Sequence, residues 1–266
     1  MSDTGTDASA RRMQRLRARG LTIEAHLDAA AGAGSTTGWT SAGIAAAIER
    51  TRNALAQPPR ESMLAPWVLA ALLVGEFPSA RAWLESSPAD ATQALLHAAC
   101  RGFDGSSLAA GNDAAPTAPA LLVERVHAAA AIASSDDEIA VCAFVALVYA
   151  LLGPQPDAAR DRLTLHAELP AGWRSCVIRN LHMGDAAFDA RLQRDDGALR
   201  IEVEQTEGAL PATLILEATV RAPVARVEVD GRQADLALRP AADHVVVPVQ
   251  LVLDAPRMLE IGLQDA

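Results

Sequence analysis

Residues 153–194 read GPQPDAARDRLTLHAELPAGWRSCVIRNLHMGDAAFDARLQR, and across this stretch the spacing of apolar residues changes from a helical period to a period of two. Just before it, Ile139 to Leu152 is an almost unbroken apolar run of about four helical turns. Inside it, Leu163, Leu165, Ala167 and Leu169 alternate with other residues, as a strand does when one face is buried. Gly153 suits the left-handed end of a helix, and Pro154 and Pro156 stop the helix from continuing. The alternation recurs at Leu199, Ile201 and Val203, at Leu214 and Leu216, and at Val227 and Val229. Further strands are expected over 176–178, 188–192, 245–252 and 258–263. Turns are expected at Gly184-Asp185, Asp195-Asp196-Gly197, Glu207-Gly208 and Asp230-Gly231. About eight or nine strands with no helix between them predict an antiparallel β-sandwich.

Upstream, the pattern from Thr40 to Leu152 is helical, broken at Pro58-Pro59, Pro78, Pro88, the 102–119 loop and Ser134-Ser135, which predicts about six helices. Ser41 is placed to cap the first and Pro88-Ala89-Asp90 to open the fourth. Ser135-Asp136-Asp137-Glu138 sets acids at the N-terminus of the last, where the helix dipole favours them. The segments 63–74 and 139–152 are apolar on nearly all sides, the mark of inner helices covered by several neighbours. At the front, ten small polar residues precede RRMQRLRARG (11–20), which carries five arginines with Met13 and Leu16 on one side, and AAAGAGSTTG (29–38) has linker composition. The expected organisation is α+β and multi-domain. It has a disordered or partly helical arm over 1–38, a helical-hairpin domain over 39–153 and an antiparallel β-sandwich over 154–266.

The junction resembles the segment of (α/α)6-toroid glycosidases, of the glycogen-debranching, glucoamylase-like and trehalase-like kind, where the last barrel helix passes into the C-terminal sandwich. The resemblance rests on an ordered string: Leu151-Leu152-Gly153, Pro156-Asp157, Arg162-Leu163-x-Leu165, Leu169-Pro170-x-Gly172-Trp173, Arg179-Asn180-Leu181 and Gly184-Asp185. It covers residues 139–195, extends to Val229-Asp230-Gly231 by strand pattern, and is faintly echoed in Gly102-Phe103-Asp104-Gly105. What it implies is a partial α/α toroid docked on a sandwich. About three hairpins are present where the family has six, and the catalytic carboxylates of the family stand on barrel loops. The implied role is a reduced, non-catalytic relative acting as an accessory or carbohydrate-binding protein. The alternatives are a glycosidase subunit completed by another chain or a second copy, and a structural protein–protein interaction module.

Composition narrows the chemistry independently. The net charge of −10 argues against nucleic acid or an anionic membrane as partner. All 23 basic residues are arginine, so lysine Schiff bases, lysine general bases and a Walker-type phosphate loop are excluded. Cys100, Cys142 and Cys176 are odd in number and widely spaced, which predicts neither a disulfide framework nor a zinc knuckle and fits a reducing, cytoplasmic setting. No apolar run reaches the roughly 20 residues of a membrane span.

Glycoside hydrolysis needs two carboxyl groups flanking the scissile bond. The helical half offers Glu61, Glu76, Glu85, Asp104, Asp113, Glu124 and Asp136 to Glu138; Asp104 and Asp113, on the long inter-helix loop, are the catalytic candidates, and the 136–138 run reads as a helix cap. Trp39 and Trp67 are the candidates for stacking a sugar, with core packing the alternative for all four tryptophans. The histidines at 26, 97, 127, 166, 182 and 244 lack metal-binding spacing, His97 and His127 reading as hydrogen-bonded core residues, so no metal and no cofactor are expected.

Overall fold

The computed structural model of the chain describes residues 21–27, 40–87, 91–105, 119–195 and 197–264. Among the described residues six α-helices precede the main run of strands: α1 (Ser41–Ala54), α2 (Leu64–Leu73), α3 (Phe77–Glu85), α4 (Ala91–Asp104), α5 (Pro119–Ala130) and α6 (Asp136–Leu152). Their boundaries follow the chain's own punctuation. Pro78 lies in the first turn of α3, where a missing N–H costs nothing. Ser135 caps α6 through a full capping box, its side chain accepting from Glu138 N–H while Glu138 reaches back. At the other end Gly153 adopts φ 44°, a left-handed cap. The start of α1 differs from expectation: Thr40 is the cap, accepting from Gly43 N–H, and Ser41 instead donates to Ala25 C=O on a strand.

That strand, β1 (Thr22–Leu27), lies in the segment expected to be a disordered or partly helical arm. It pairs antiparallel with β4 (Trp173–Met183), and Ile23 and Ala25 are buried beneath α1. A strand of six residues, alternating in burial from Thr22 to His26, is too short, beside a polar and Ala/Gly-rich surround, to stand out in the sequence. Residues 1–20 and 28–39 lie outside the described residues.

The remaining strands are β2 (Gln155–Asp157), β3 (Arg162–Ala167), β5 (Ala186–Arg194), β6 (Ala198–Glu207), β7 (Thr213–Val220), β8 (Val224–Val229), β9 (Arg232–Gln233), β10 (Arg239–Pro240), β11 (Val245–Val252) and β12 (Arg257–Leu263). They form two sheets, ordered β1-β4-β5-β6-β12-β8-β9 and β10-β11-β7-β3-β2. Every pairing is antiparallel except β3 with β7, which run parallel, so the sandwich is antiparallel as expected apart from this one ladder. The parallel pair arises because the chain leaves β3, builds β4, β5 and β6 in the other sheet, and returns as β7. Leu163, Leu165, Leu214, Leu216, Ile201, Leu259 and Ile261 are all nearly inaccessible and form the inter-sheet core. Trp173 is 1% exposed among them. Gly184-Asp185 closes the β4–β5 hairpin, and Asp230-Gly231, with φ 51° and 73°, closes β8–β9 as a two-residue turn of the hairpin-favoured hand.

The helices sit against the side of the sandwich formed by β1 to β4. Three of them, α2, α4 and α6, bring their C-terminal ends onto it through glycines: Gly75 against His182, Gly102 and Gly105 against Pro156 and Ala158, and Gly153 against His166. From Ala65 to Leu73 every residue of α2 is buried, and α6 is buried along most of its length, as their all-round apolarity predicts.

Candidate functional site

The motif Gly102-Phe103-Asp104-Gly105 docks α4 on the sandwich. Gly102 passes so close to β2 that a methyl group there would lie 2.6 Å from Pro156 C=O. Phe103 is 2% exposed and its C=O accepts from Gly184 N–H at 2.5 Å, so this motif and the Gly184-Asp185 turn are partners. Asp104 ends the helix with its side chain only 4% exposed, held by Arg81 from α3 through Nε at 2.7 Å and a terminal nitrogen at 2.6 Å. Asp104, the expected catalytic candidate, thus ties α3 to α4 through a largely buried carboxylate.

The other candidates fall as follows. Asp113 and Trp39 lie outside the described residues. Trp67 is 6% exposed within the helical core and presents no face for a sugar. Among the acids, Asp136 pairs with Arg50 at 2.7 Å. Glu138 pairs with Arg60 and accepts from Ser134 N–H at 2.7 Å; that backbone donor, ahead of the Arg60 guanidinium and against burial, holds its carboxyl below the usual range. Glu76 accepts from Ser79, and Glu85 and Glu124 are exposed on the outer sides of α3 and α5. His97 is half-buried on α4, whereas His127 is exposed on α5 and not in the core, because the apolar face of α5 is carried by Leu122, Val126 and Ala129.

Burial pushes the three thiols up, Cys100 and Cys176 to about 12 and Cys142 to about 11, which leaves them as protonated core groups rather than nucleophiles. No group of three or more His, Cys, Asp or Glu among the described residues is arranged to hold a metal ion. No helix among them is long and apolar enough to cross a membrane.

Two polar constellations have no signal in the sequence. On the outer face of the smaller sheet, His166 Nδ1 lies 2.9 Å from Glu217, which also binds Arg239, while Gln155 contacts the other ring nitrogen. The period-two pattern places His166 and Glu217 on outward faces, but only the parallel β3–β7 register brings them opposite each other. The second is a depression of about 200 Å³ lined by Pro58, Pro59, Arg60, Glu61, Leu64, Trp83, Ser86 and Ser87. It gathers the linker after α1, the start of α2 and the end of α3, segments whose proximity follows from helix packing alone. On the larger sheet Asp195, Arg200, Glu260, Arg226 and Glu228 are linked in succession by ion pairs.

No protein-family model matches the chain, and no curated protein matches it. Among solved structures it is similar to glycoside hydrolases. One is an alpha-L-rhamnosidase from Dictyoglumus thermophilum, with TM-score 0.32 and 11% identity over 47% of this chain. Another is a GH127 beta-L-arabinofuranosidase from Geobacillus Stearothermophilus T6, with TM-score 0.33 and 12% identity over 80% of this chain. A third glycoside hydrolase has TM-score 0.30 and 9% identity over 74%. The chain spans 14%, 31% and 32% of the length of those three proteins.

Proposed function

We propose that the chain is a non-catalytic relative of the glycoside hydrolases that serves as a carbohydrate-binding or accessory protein. The observation that carries the reading is the state of Asp104. Its side chain is 4% exposed, it is bound by Arg81, and it belongs to the turn that fastens α4 to the sandwich. An acid used in this way cannot approach a glycosidic oxygen or an anomeric carbon. Hydrolysis needs a second carboxyl across an open cleft, about 5–10 Å from the first. Among the described residues, the remaining acids of the helical half are capping, paired or spread over separate outer surfaces. Affinity electrophoresis of the full chain in gels containing soluble starch, arabinan or xylan tests the proposal. Retarded migration with the polysaccharide left intact is the expected result; release of reducing ends by the purified chain would overturn it.

A second reading, a subunit completed by a partner chain or a second copy, draws on Leu121, Ile132 and Ile139. These large apolar side chains are 45%, 57% and 54% exposed along α5, the following turn and α6. Light scattering over a concentration series distinguishes it: a stable homodimer that dissociates on Ile139→Arg supports completion by a second copy, and a monomer at all concentrations removes that form of it.

A further inference from the structure

The depression between the α1–α2 linker and the end of α3 joins an apolar side to a charged and hydroxylated rim. Its apolar side is made by Pro58, Pro59 and Leu64, which are exposed or half-buried, while Trp83, 8% exposed, lies in the core beneath and offers no stacking face. Its polar rim carries two adjacent residues of opposite charge. Arg60 is 55% exposed, lines the depression and contacts Glu138 through one terminal nitrogen, so its guanidinium keeps further N–H donors. Glu61 is exposed and has no hydrogen-bond or ion-pair partner among the described residues. Ser86 and Ser87 both donate to Trp83 C=O, at 2.9 and 2.8 Å, so their hydroxyl oxygens remain as acceptors. The wall is braced from behind, because Gln93 on α4 donates to Leu84 C=O at 2.6 Å and to Ser87 C=O at 3.1 Å.

This set selects by charge and by hydrogen-bond sense. An anion drawn to Arg60 meets the Glu61 carboxylate beside it, and a cation drawn to Glu61 meets Arg60, so net charge is disfavoured in either sign. An uncharged molecule that donates to Glu61, Ser86 and Ser87, accepts from Arg60 and lays a C–H face on the Pro58, Pro59 and Leu64 side satisfies every group at once. A sugar ring has that chemistry, with hydroxyls around its edge and an apolar face. The volume, about 200 Å³, falls below the roughly 300–1,000 Å³ of sites for larger ligands, which limits the occupant to one ring.

We infer that this depression is a binding site for a single neutral sugar unit, the end or a branch of a glycan. The inference deepens the carbohydrate-binding reading and rests on it, naming the surface that does the binding. It uses neither Asp104 nor the sandwich.

Titration of the 15N-labelled full chain with D-glucose, D-galactose, D-mannose, L-arabinose and L-rhamnose tests it, with L-leucine as a zwitterionic probe that could also bridge Arg60 and Glu61. At least one sugar is expected to shift the Trp83 indole N–H and the Glu61, Ser86 and Ser87 amides saturably, with a Kd on the order of millimolar, as befits a small ligand. Glu61→Ala is expected to weaken that sugar tenfold or more, and Ser86→Arg, which fills the depression, to abolish its shifts, each in a chain that still melts cooperatively. Sugar shifts confined to other residues, or unchanged in both variants, overturn the site while leaving a carbohydrate-binding protein. Leucine binding without sugar binding also overturns the site. Absence of sugar shifts anywhere, together with free migration in the polysaccharide gels, overturns both.

Discussion

Replacing Gly102 by alanine separates two physical expectations of opposite sign. Gly102 lies in the last turn of α4, and helix propensity alone makes Gly→Ala there favourable by up to about 1 kcal/mol. The structure adds a collision: the new Cβ would sit 2.6 Å from Pro156 C=O and 3.6 Å from its carbonyl carbon. Neither neighbour is a flexible side-chain tip. Pro156 is backbone of β2, paired with Leu163, and on the helix side Phe103 is buried and hydrogen-bonded to Gly184. Relief therefore moves α4 away from the sandwich by several tenths of an ångström and loosens the Phe103–Gly184 contact. Overpacking of this kind costs about 1–3 kcal/mol. Set against the propensity gain, the net expectation is a destabilisation of about 1–2 kcal/mol. That corresponds to a fall in Tm of a few degrees at about 2–4 °C per kcal/mol for a chain of this size. Urea unfolding followed by tryptophan fluorescence and far-ultraviolet dichroism measures it, with Gly197→Ala as the control, since a methyl group there meets nothing within 4 Å. A Gly102→Ala chain as stable as the parent, or more so, would refute the docking role of this turn.

Further expectations follow from single contacts. Asp104→Asn removes the charged partner of Arg81 at a site 4% exposed and should cost about 1–2 kcal/mol, less than a fully buried pair because Arg81 is 47% exposed; an unchanged urea midpoint would count against the anchor. Ser135→Ala deletes the α6 cap and should cost about 1 kcal/mol, seen as earlier loss of helical dichroism on heating. Glu138 has a folded-state pKa below its unfolded value, so its contribution is present above about pH 4.3 and disappears as the pH falls through the folded-state value. Glu138→Gln should accordingly flatten the acid limb of stability against pH, and an unaltered limb would contradict the assignment. Cys100, Cys142 and Cys176, pushed up by burial, should resist a thiol reagent at pH 8 in the folded chain and all react in urea; one thiol modified rapidly before unfolding would show an opening the structure lacks.

What is legible in the sequence and what is not divide along a physical line. Features set by local periodicity can be read: the all-round apolar segments at 63–74 and 139–152, the Ser135–Glu138 cap, the Gly153 stop, and the hairpins at 184–185 and 230–231. Features set by pairing between distant segments cannot. The parallel β3–β7 ladder, and with it the His166–Glu217 pair, depends on which strand returns beside which. The strand at 22–27 depends on β4 for its existence. The site residues show the same division. Asp104 stands out as an acid near a loop, but whether it faces solvent depends on Arg81, 23 positions upstream. Glu61 is one acid among many in the sequence, and its neighbours Trp83, Ser86 and Ser87 reach it through the packing of α3 beside the start of α2. The Gly102–Gly105 motif carries more information than its length suggests, because Gly102 is required by contact with the sandwich and Gly105 by its left-handed φ of 70° at the end of α4.

If the helical half binds and does not hydrolyse, with Asp104 as its structural anchor, the purified full chain is inert toward glycosidic bonds. The most direct test is hydrolysis of a panel of 4-nitrophenyl glycosides by that chain at high concentration, run beside Asp104→Asn. The prediction is release no faster than in buffer for both proteins, with the variant altered only in its unfolding curve. Turnover by the parent chain that is lost in Asp104→Asn while the variant remains folded would contradict it.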